Sequence, residues 1–421
     1  MSIFREIPPT AGLPVYADDI RFLFKTGNCC PSKADNKTLV SINHPDSLEN
    51  DFKQYLNADY AKVTYSGTAA LYLILESLKE LSDKKTVIIP SFLCPLVPLA
   101  INRAGLNIEI CDINKDDFNF DVPELEGICS KNKDILAIVL AHLGGIPLDF
   151  DSISRVSKAH GIFIIEDCAQ SLGAEYKQKK AGALGDFSFF SLCRGKGLTI
   201  YEGGVIIANN KESAAIIDRK EEQLLKRDFI SEGLKIMELF GYWVFYRPCL
   251  FWFVFRLPQI FWNLRGNRFR ANIEYFEDDF PMHKVSSFRK SIGHMSFYRI
   301  EEQIDKQRQK ADYYIQGIQD IPGIRIIKEP KEARASYPYL TLIFDDPDKR
   351  LRALRIFENS GLGVSQIYTA ALTGYEYLRR IIPDKNCPRA DYLACRQMTL
   401  STSAFLKNKE LDLIVSILKK L

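Results

Sequence analysis

Three polar side chains near the middle of the chain, Asp167, Ser191 and Lys196, have types and spacing that suit one chemistry. The apolar run Ile162 to Ile165 reads as a buried strand that delivers Glu166 and Asp167 at its carboxyl end. In an open α/β sheet that end is where ligands sit. A second apolar run, Phe187 to Phe190, delivers Ser191, and five residues later Lys196 stands between Gly195 and Gly197. A carboxylate, a hydroxyl and a lysine on neighbouring strand ends are what pyridoxal phosphate (PLP) requires. The lysine forms a Schiff base with its aldehyde, and the acid pairs with the pyridinium nitrogen so that the ring works as an electron sink. The hydroxyl and nearby backbone amides hold the phosphate. Each residue alone has a blander reading: the acid as a helix cap or metal ligand, the lysine as a solvated loop side chain.

Upstream, Ser66-Gly67-Thr68-Ala69-Ala70 precedes apolar residues at helical spacing, Leu71, Ile74, Leu75 and Leu78. Ser66 or Thr68 can cap this helix, and its first amides together with the helix dipole make an anion site. An ordinary capped helix would look the same if it stood alone. His142, in Ala141-His142-Leu143-Gly144-Gly145 just after another apolar run, reads either as a satisfied structural histidine or as a wall of a substrate site.

Taken in order, these pieces resemble the DegT/DnrJ/EryC1/StrS aminotransferases, the sugar aminotransferases of fold type I. The resemblance rests on Glu166-Asp167-Cys168-Ala169-Gln170-Ser171-Leu172-Gly173, then Gly185-Asp186, then Phe190-Ser191-Leu192 with Lys196 at its proper distance, then Gly203-Gly204. The Ser66-Gly67-Thr68 stretch matches the family's phosphate loop. The resemblance implies an α/β protein of PLP-dependent transferase fold type I. Its large three-layer α/β/α domain, with a mostly parallel sheet, would span residues 1–283, and a smaller α+β domain residues 284–421. It implies Lys196 and Asp167 as catalytic groups, and Ser66, Gly67, Thr68, Cys94, Asp167, Gln170, Ser191 and Lys196 around the cofactor. Gln170 would pack near the O3′ side of the ring. His142, Tyr201 and Glu202 are candidates for contact with substrate, and no metal is expected. The resemblance further implies a homodimer, an amino acid donor (glutamate by analogy) and a nucleotide-linked keto-sugar as acceptor.

The chain also departs from the family's pattern. Where members place an aromatic residue to stack on the pyridine ring, this chain has Cys94-Pro95, and a thiol covers less of a π face. The Asn that members send to the neighbouring subunit's phosphate is missing from Phe280 to Ser287, leaving His283, Lys284 or Ser286 as substitute donors. Two histidine-bearing signatures, near Gln366 to Leu372 and Leu400 to Ala404, lack their histidines.

Strands and helices alternate between these motifs in α/β fashion: strands near 86–90, 108–111, 135–140 and 205–208, helices near 95–104, 150–160 and 211–226. Residues 1–45 resemble the arm that wraps the active site in the family, ending in a short helix near 45–56. A helical pattern runs from Lys284 to Ile318. Beyond it come strands at 324–327, 337–344 and 361–367, and helices at 348–360 and 408–420. With 421 residues, 46% hydrophobic and 26% charged, the chain can bury one large core and a smaller one. A net charge of +3 gives no argument for nucleic acid. The ten cysteines show no metal spacing, and the N-terminus has no apolar signal segment, so the sequence reads as cytoplasmic with reduced thiols.

Residues 230–280 read as an insertion. All three tryptophans (Trp243, Trp252, Trp262) lie within 234–266 with six phenylalanines, and Arg247-Pro248 and Arg256…Pro258 cut the stretch into pieces of about ten residues or fewer. A spanning helix needs roughly twenty uninterrupted apolar residues. Three readings stay open: a buried insertion or dimer contact, an interfacial membrane contact at the inner face of the membrane, or an entrance for a substrate with an apolar tail. Three functional alternatives accompany them. One is an aminotransferase acting on an amphiphilic carbonyl, and another is a membrane-associated scaffold that keeps the fold without turnover. The third, a PLP dehydratase, would carry His where Lys196 stands.

Overall fold

The computed structural model describes residues 4–24, 47–271, 274–276 and 279–421. Among the described residues thirteen strands follow in chain order: β1 (Tyr60–Thr64), β2 (Thr86–Pro90), β3 (Asn107–Cys111), β4 (Ile135–Ala141), β5 (Phe163–Asp167), β6 (Glu175–Tyr176), β7 (Lys179–Lys180), β8 (Phe187–Ser191), β9 (Gly204–Ala208), β10 (Ile324–Ile326), β11 (Ala333–Arg334), β12 (Tyr339–Phe344) and β13 (Gln397–Ser401). The helices that lead up to the insertion are α1 (Ala17–Phe24), α2 (Ser47–Leu56), α3 (Gly67–Leu81), α4 (Leu96–Arg103), α5 (Val122–Lys131), α6 (Phe150–His160) and α7 (Lys211–Leu224). The insertion forms α8 (Phe229–Phe245), α9 (Pro248–Val254), α10 (Arg256–Leu264) and α11 (Arg268–Ala271). After it come α12 (Ser287–Phe297), α13 (Ile300–Ile318), α14 (Pro347–Phe357), α15 (Pro388–Ala394) and α16 (Asn408–Lys419).

Seven strands form one sheet in the order β1-β9-β8-β5-β4-β2-β3. Strands β3, β2, β4, β5 and β8 run parallel to their neighbours, while β9 pairs antiparallel with both β8 and β1. Parallel strands covered on both faces need near-continuous apolar sequence. Both β2 (Thr-Val-Ile-Ile-Pro) and β4 (Ile-Leu-Ala-Ile-Val-Leu-Ala) meet that need, with every residue buried. Helix α3 packs on β8 and β9, and α6 packs on β5. A second sheet has the order β10-β12-β13, and a third joins β11 to the small hairpin β6–β7. The structure thus belongs to the α/β class that the motifs imply.

Register decides what the strand ends bring together. Ala141 pairs with Asp167, and Asp167 with Phe189, so the carboxyl ends of β4, β5 and β8 lie side by side. Across the antiparallel half of the sheet, Ser191 pairs with Gly204 and Gly204 with Thr64, one row that leads straight to the start of α3.

Three expectations need correction. The helical pattern from 284 to 318 is two helices, α12 and α13, broken where the Arg299 guanidinium turns to Asp19 (2.8 Å) and to the Pro14 carbonyl (3.3 Å). The strand expected at 361–367 is a loop with one bridge, Ser365 to Thr399. Gly361 and Gly363 there take φ of 67° and 69°, and the Ile7 N–H of the N-terminal arm donates to the Gly361 carbonyl (3.0 Å). Finally, α8 runs unbroken for 17 residues, longer than the pieces expected, because Pro248 falls beyond its end at Tyr246. Among the described residues, no helix is long and apolar enough to cross a membrane. The adjacent Cys29-Cys30 lies outside the described residues.

Candidate active site

A cavity of about 600 Å³ opens at the carboxyl ends of β5 and β8, beside the start of α3. Lys196, Asp167, Gln170, Ser191, Cys94 and the Ser66-Gly67-Thr68 turn all line it, as do His142 and Glu202. Tyr201 is not part of its wall. That ring faces Tyr242 (centroids 6.4 Å apart) and the Lys235 ammonium (5.7 Å) instead.

Asp167 is 6% exposed, and its Oδ1 accepts the Ala169 N–H at 3.0 Å. Burial raises its carboxyl pKa, and the Ala169 amide and the nearby Lys196 pull the other way. No ion pair to this carboxylate occurs among the described residues, so it has room for a cationic N–H partner. Lys196 sits on the loop after β8. Its N–H donates to the Cys193 carbonyl (3.2 Å), and its own carbonyl accepts from Leu13 (3.1 Å). The N-terminal arm presses on this loop closely. Thr10 Oγ1 donates to the Gly195 carbonyl at 2.8 Å, and a Cβ on Gly12 would stand 2.7 Å from Gly195 Cα.

The start of α3 forms the cavity's anion-binding end. Ser66 caps the helix by accepting the Ala69 N–H at 3.0 Å, and no protein acceptor among the described residues takes the amides of Gly67 and Thr68. Such unpaired first-turn amides at the positive end of a helix dipole bind anions. Ser191 closes the end from the side, with its Cβ 3.2 Å from where a Cβ on Gly67 would be.

Gln170 is held from three directions. Its Oε1 accepts the Gly144 N–H at 2.9 Å and the Tyr339 hydroxyl, and its Nε2 donates to the Tyr368 hydroxyl at 3.4 Å. Sequence reasoning missed both tyrosines. Tyr368 lies in the stretch that lacks the family's histidine, and its ring meets Phe92 edge-on at 5.5 Å. The only signal in the sequence was that missing histidine, because nothing local marks a tyrosine on β12 or in the 361–372 loop as facing Gln170. Cys94 also faces the cavity, and burial pushes its thiol up to about 11, so it is a neutral group there.

His142 touches the cavity, but both its ring nitrogens are engaged. Nδ1 accepts the Leu148 N–H at 3.2 Å, which leaves Nε2 to donate to Glu166 at 3.0 Å. Glu166 in turn accepts the Gly182, Leu184 and Gly185 amides at 2.7–2.9 Å. With Cys168 these residues form the one His/Cys/Glu grouping of metal-site dimensions among the described residues, and its histidine and glutamate are already engaged with each other and with backbone amides. Glu202 pairs with Lys235 (2.8 Å) and accepts the Tyr65 hydroxyl (3.2 Å). His283, Lys284 and Ser286 are each engaged within the chain. His283 meets Glu232 (3.0 Å), Lys284 meets Glu221 (3.1 Å), and Ser286 caps α12.

Comparison with known proteins gives the same picture. The profile described as the DegT/DnrJ/EryC1/StrS aminotransferase family matches residues 30–235 and 275–419, leaving out most of the insertion. A Campylobacter jejuni UDP-4-amino-4,6-dideoxy-N-acetyl-beta-L-altrosamine transaminase is 28% identical over 89% of this chain and 90% of its own. Two solved structures share the fold. Helicobacter pylori PseC, an aminotransferase involved in the biosynthesis of pseudoaminic acid, has a TM-score of 0.75 at 16% identity over 99% of both chains. The PMP form of Streptococcus pneumoniae Spr1654 has a TM-score of 0.74 at 19% identity over 98% of both.

Proposed function

We propose, for a chain that belongs to the DegT/DnrJ/EryC1/StrS aminotransferase family, that this cavity holds PLP and serves transfer of an amino group from glutamate to a nucleotide-linked keto-sugar. One observation carries the reading: the Lys196 side chain and the Asp167 carboxylate share a cavity with the start of α3, where two amides are unpaired. The residues present fit the cofactor. Asp167 is a buried acid with room for a pyridinium N–H, and Gly67 leaves space for a phosphate against Ser191. The nucleotide-sugar acceptor is supported by the C. jejuni relative, a transaminase whose name is that of a UDP-linked amino sugar.

PLP, when bound, supplies an electron-poor ring that spreads the electron pair released at the donor's α-carbon. Asp167 keeps a proton on the ring nitrogen, and the Ala169 amide fixes the carboxylate's direction. The Lys196 amine, when neutral, would be the general base that takes the α-proton of the donor and, once protonated, the acid that gives it back. Gln170 is clamped by Gly144, Tyr339 and Tyr368, and so held it would pack against the bound cofactor and limit its movement. Phe276, Phe280, Ile300 and Ile304 line the apolar part of the cavity and keep water from the exchange. By analogy with the family, whose sites form at a subunit boundary, the proposal includes a homodimer, and it places the protein in the cytoplasm.

The test is spectroscopic. Protein loaded with PLP should show the visible band of a lysine-bound aldehyde, lose it on mixing with glutamate, and regain it with a nucleotide keto-sugar. Lys196→Ala should show neither the band nor turnover. A Lys196→Ala protein that keeps both ends the assignment. A wild type that answers long-chain aldehydes but no keto-sugar replaces the acceptor.

A further inference from the structure

The insertion leaves a second apolar surface uncovered. Twelve of the eighteen exposed large apolar side chains among the described residues fall between Phe229 and Tyr275. Helix α8 already has one inward face, Glu232, Leu239 and Tyr242, with Tyr246 just beyond its end. A surface helix normally carries polar residues opposite such a face. Here the outer side carries Ile230, Leu234, Met237 and Val244, and Ile230 is 79% exposed. Helix α10 repeats the pattern with Leu257, Phe261 and Leu264 at helical spacing, Leu264 being 83% exposed, and neither α9 nor α10 contains a buried residue. Exposed apolar side chains gathered in this way on one segment of a folded protein mark an interaction site.

The charges decide between occupants. From Leu239 to Ile273 the sequence has five arginines and no Asp, Glu or Lys, in a chain whose 56 basic and 53 acidic residues otherwise balance. Arg265 lies over Phe261 (4.2 Å), and Arg270 over Tyr275 (4.7 Å) and Trp262 (5.0 Å). Neither has a carboxylate partner among the described residues. Arg256 on α10 is already paired with Glu358 (3.4 Å), but in a two-fold contact between copies this patch would meet itself and bring the unpaired Arg265 and Arg270 together with those of the second copy. An anionic lipid surface supplies what is missing. Its acyl boundary takes up the apolar stripes, its phosphates pair the guanidinium groups of Arg265 and Arg270, and tryptophan, tyrosine and arginine suit headgroup depth.

We infer that α8–α10 form an interfacial docking surface for anionic phospholipid, which lays the enzyme on a membrane without crossing it. The surface adjoins the site: Tyr246 donates to the Thr10 carbonyl (3.3 Å), and Thr10 holds the loop that carries Lys196. Flotation of the intact, PLP-loaded protein with phosphatidylcholine vesicles, with and without phosphatidylglycerol, tests the inference. The protein should float with the anionic vesicles, less so at high salt, and stay behind with neutral ones. Leu257→Glu/Phe261→Glu should lower partitioning roughly tenfold or more while keeping the visible band and the mass by light scattering. Lys196→Ala should float like the wild type, so loss of the cofactor assignment leaves this result standing. Wild type that stays in the supernatant, floats equally with neutral vesicles, or is matched by the double variant overturns the inference. A double variant of halved mass, beside a wild type that ignores vesicles, assigns the patch to a contact between copies.

Discussion

Gly204 joins the sheet to the anion-binding end of the cavity. It pairs with Ser191 on one side and Thr64 on the other, and a methyl group on it would stand 2.3 Å from the Ser66 carbonyl oxygen and 2.6 Å from the Gly67 nitrogen. Both are backbone atoms of the α3 turn, so no flexible side chain can yield. Gly204→Ala should therefore push the start of α3 outward and raise the Kd for PLP about tenfold or more, equivalent to about 1.4 kcal/mol. Titration of the visible band checks this, and an unchanged Kd would mean that the phosphate sits elsewhere. Gly203 differs: there a methyl would meet the Ile200 side chain at 2.5 Å, a contact between side chains that repacking can relieve.

Helix α8 acts as a brace between the insertion and the site. Its Glu232 accepts Arg289 Nε at 3.0 Å and the Ser286 N–H at 2.8 Å, and it faces His283 Nε2 at 3.0 Å. Burial works against the charge on Glu232, yet Arg289 and Ser286 hold its carboxyl below the usual range. Arg289, fully buried, also donates to the carbonyls of Ile200 and Glu202, beyond Lys196 on the same loop. Replacing only one partner of a buried pair leaves the other charge uncompensated, which costs about 3–5 kcal/mol. Glu232→Gln should destabilise the protein by that amount in urea unfolding and loosen PLP by freeing the loop. A loss below about 1 kcal/mol would mean that water reaches Arg289.

For the molecule as a whole, the N-terminal arm ties distant parts together, and one acid in it makes stability depend on pH. The Glu6 N–H donates to the Pro248 carbonyl at the start of α9, and the next residue, Ile7, bonds Gly361. Burial raises the Glu6 carboxyl from 4.5 to about 7, with Arg256, Arg5 and the Gly363 amide only partly opposing it. Between those two values the folded protein holds a proton that the unfolded chain has lost, so stability falls as pH rises through that window. Glu6→Gln removes the penalty. It should stabilise the protein by on the order of 3 kcal/mol at pH 8 and by less than about 1 kcal/mol at pH 5, read from chemical denaturation at constant ionic strength. Equal effects at the two pH values would show that Glu6 stays charged when folded.

The sequence alone determined the frame of the site. Asp167, Ser191 and Lys196 are set by strand–turn spacing within about thirty residues of chain, and local spacing survives any arrangement of the remainder. The α3 turn was legible for the same reason, since a cap and its apolar stripe are written in consecutive residues. Tertiary structure decided what depends on remote segments meeting. Tyr339 and Tyr368 reach Gln170 from about 170 to 200 residues away, which no periodicity signals. His142 is consumed by Glu166 and Leu148, and Tyr201 turns toward α8 instead of the cavity. The insertion's composition announced an apolar, aromatic segment. Only packing could tell which of its faces is covered by the chain and which is left bare, because hydrophobicity fixes the need for burial and not the partner that satisfies it.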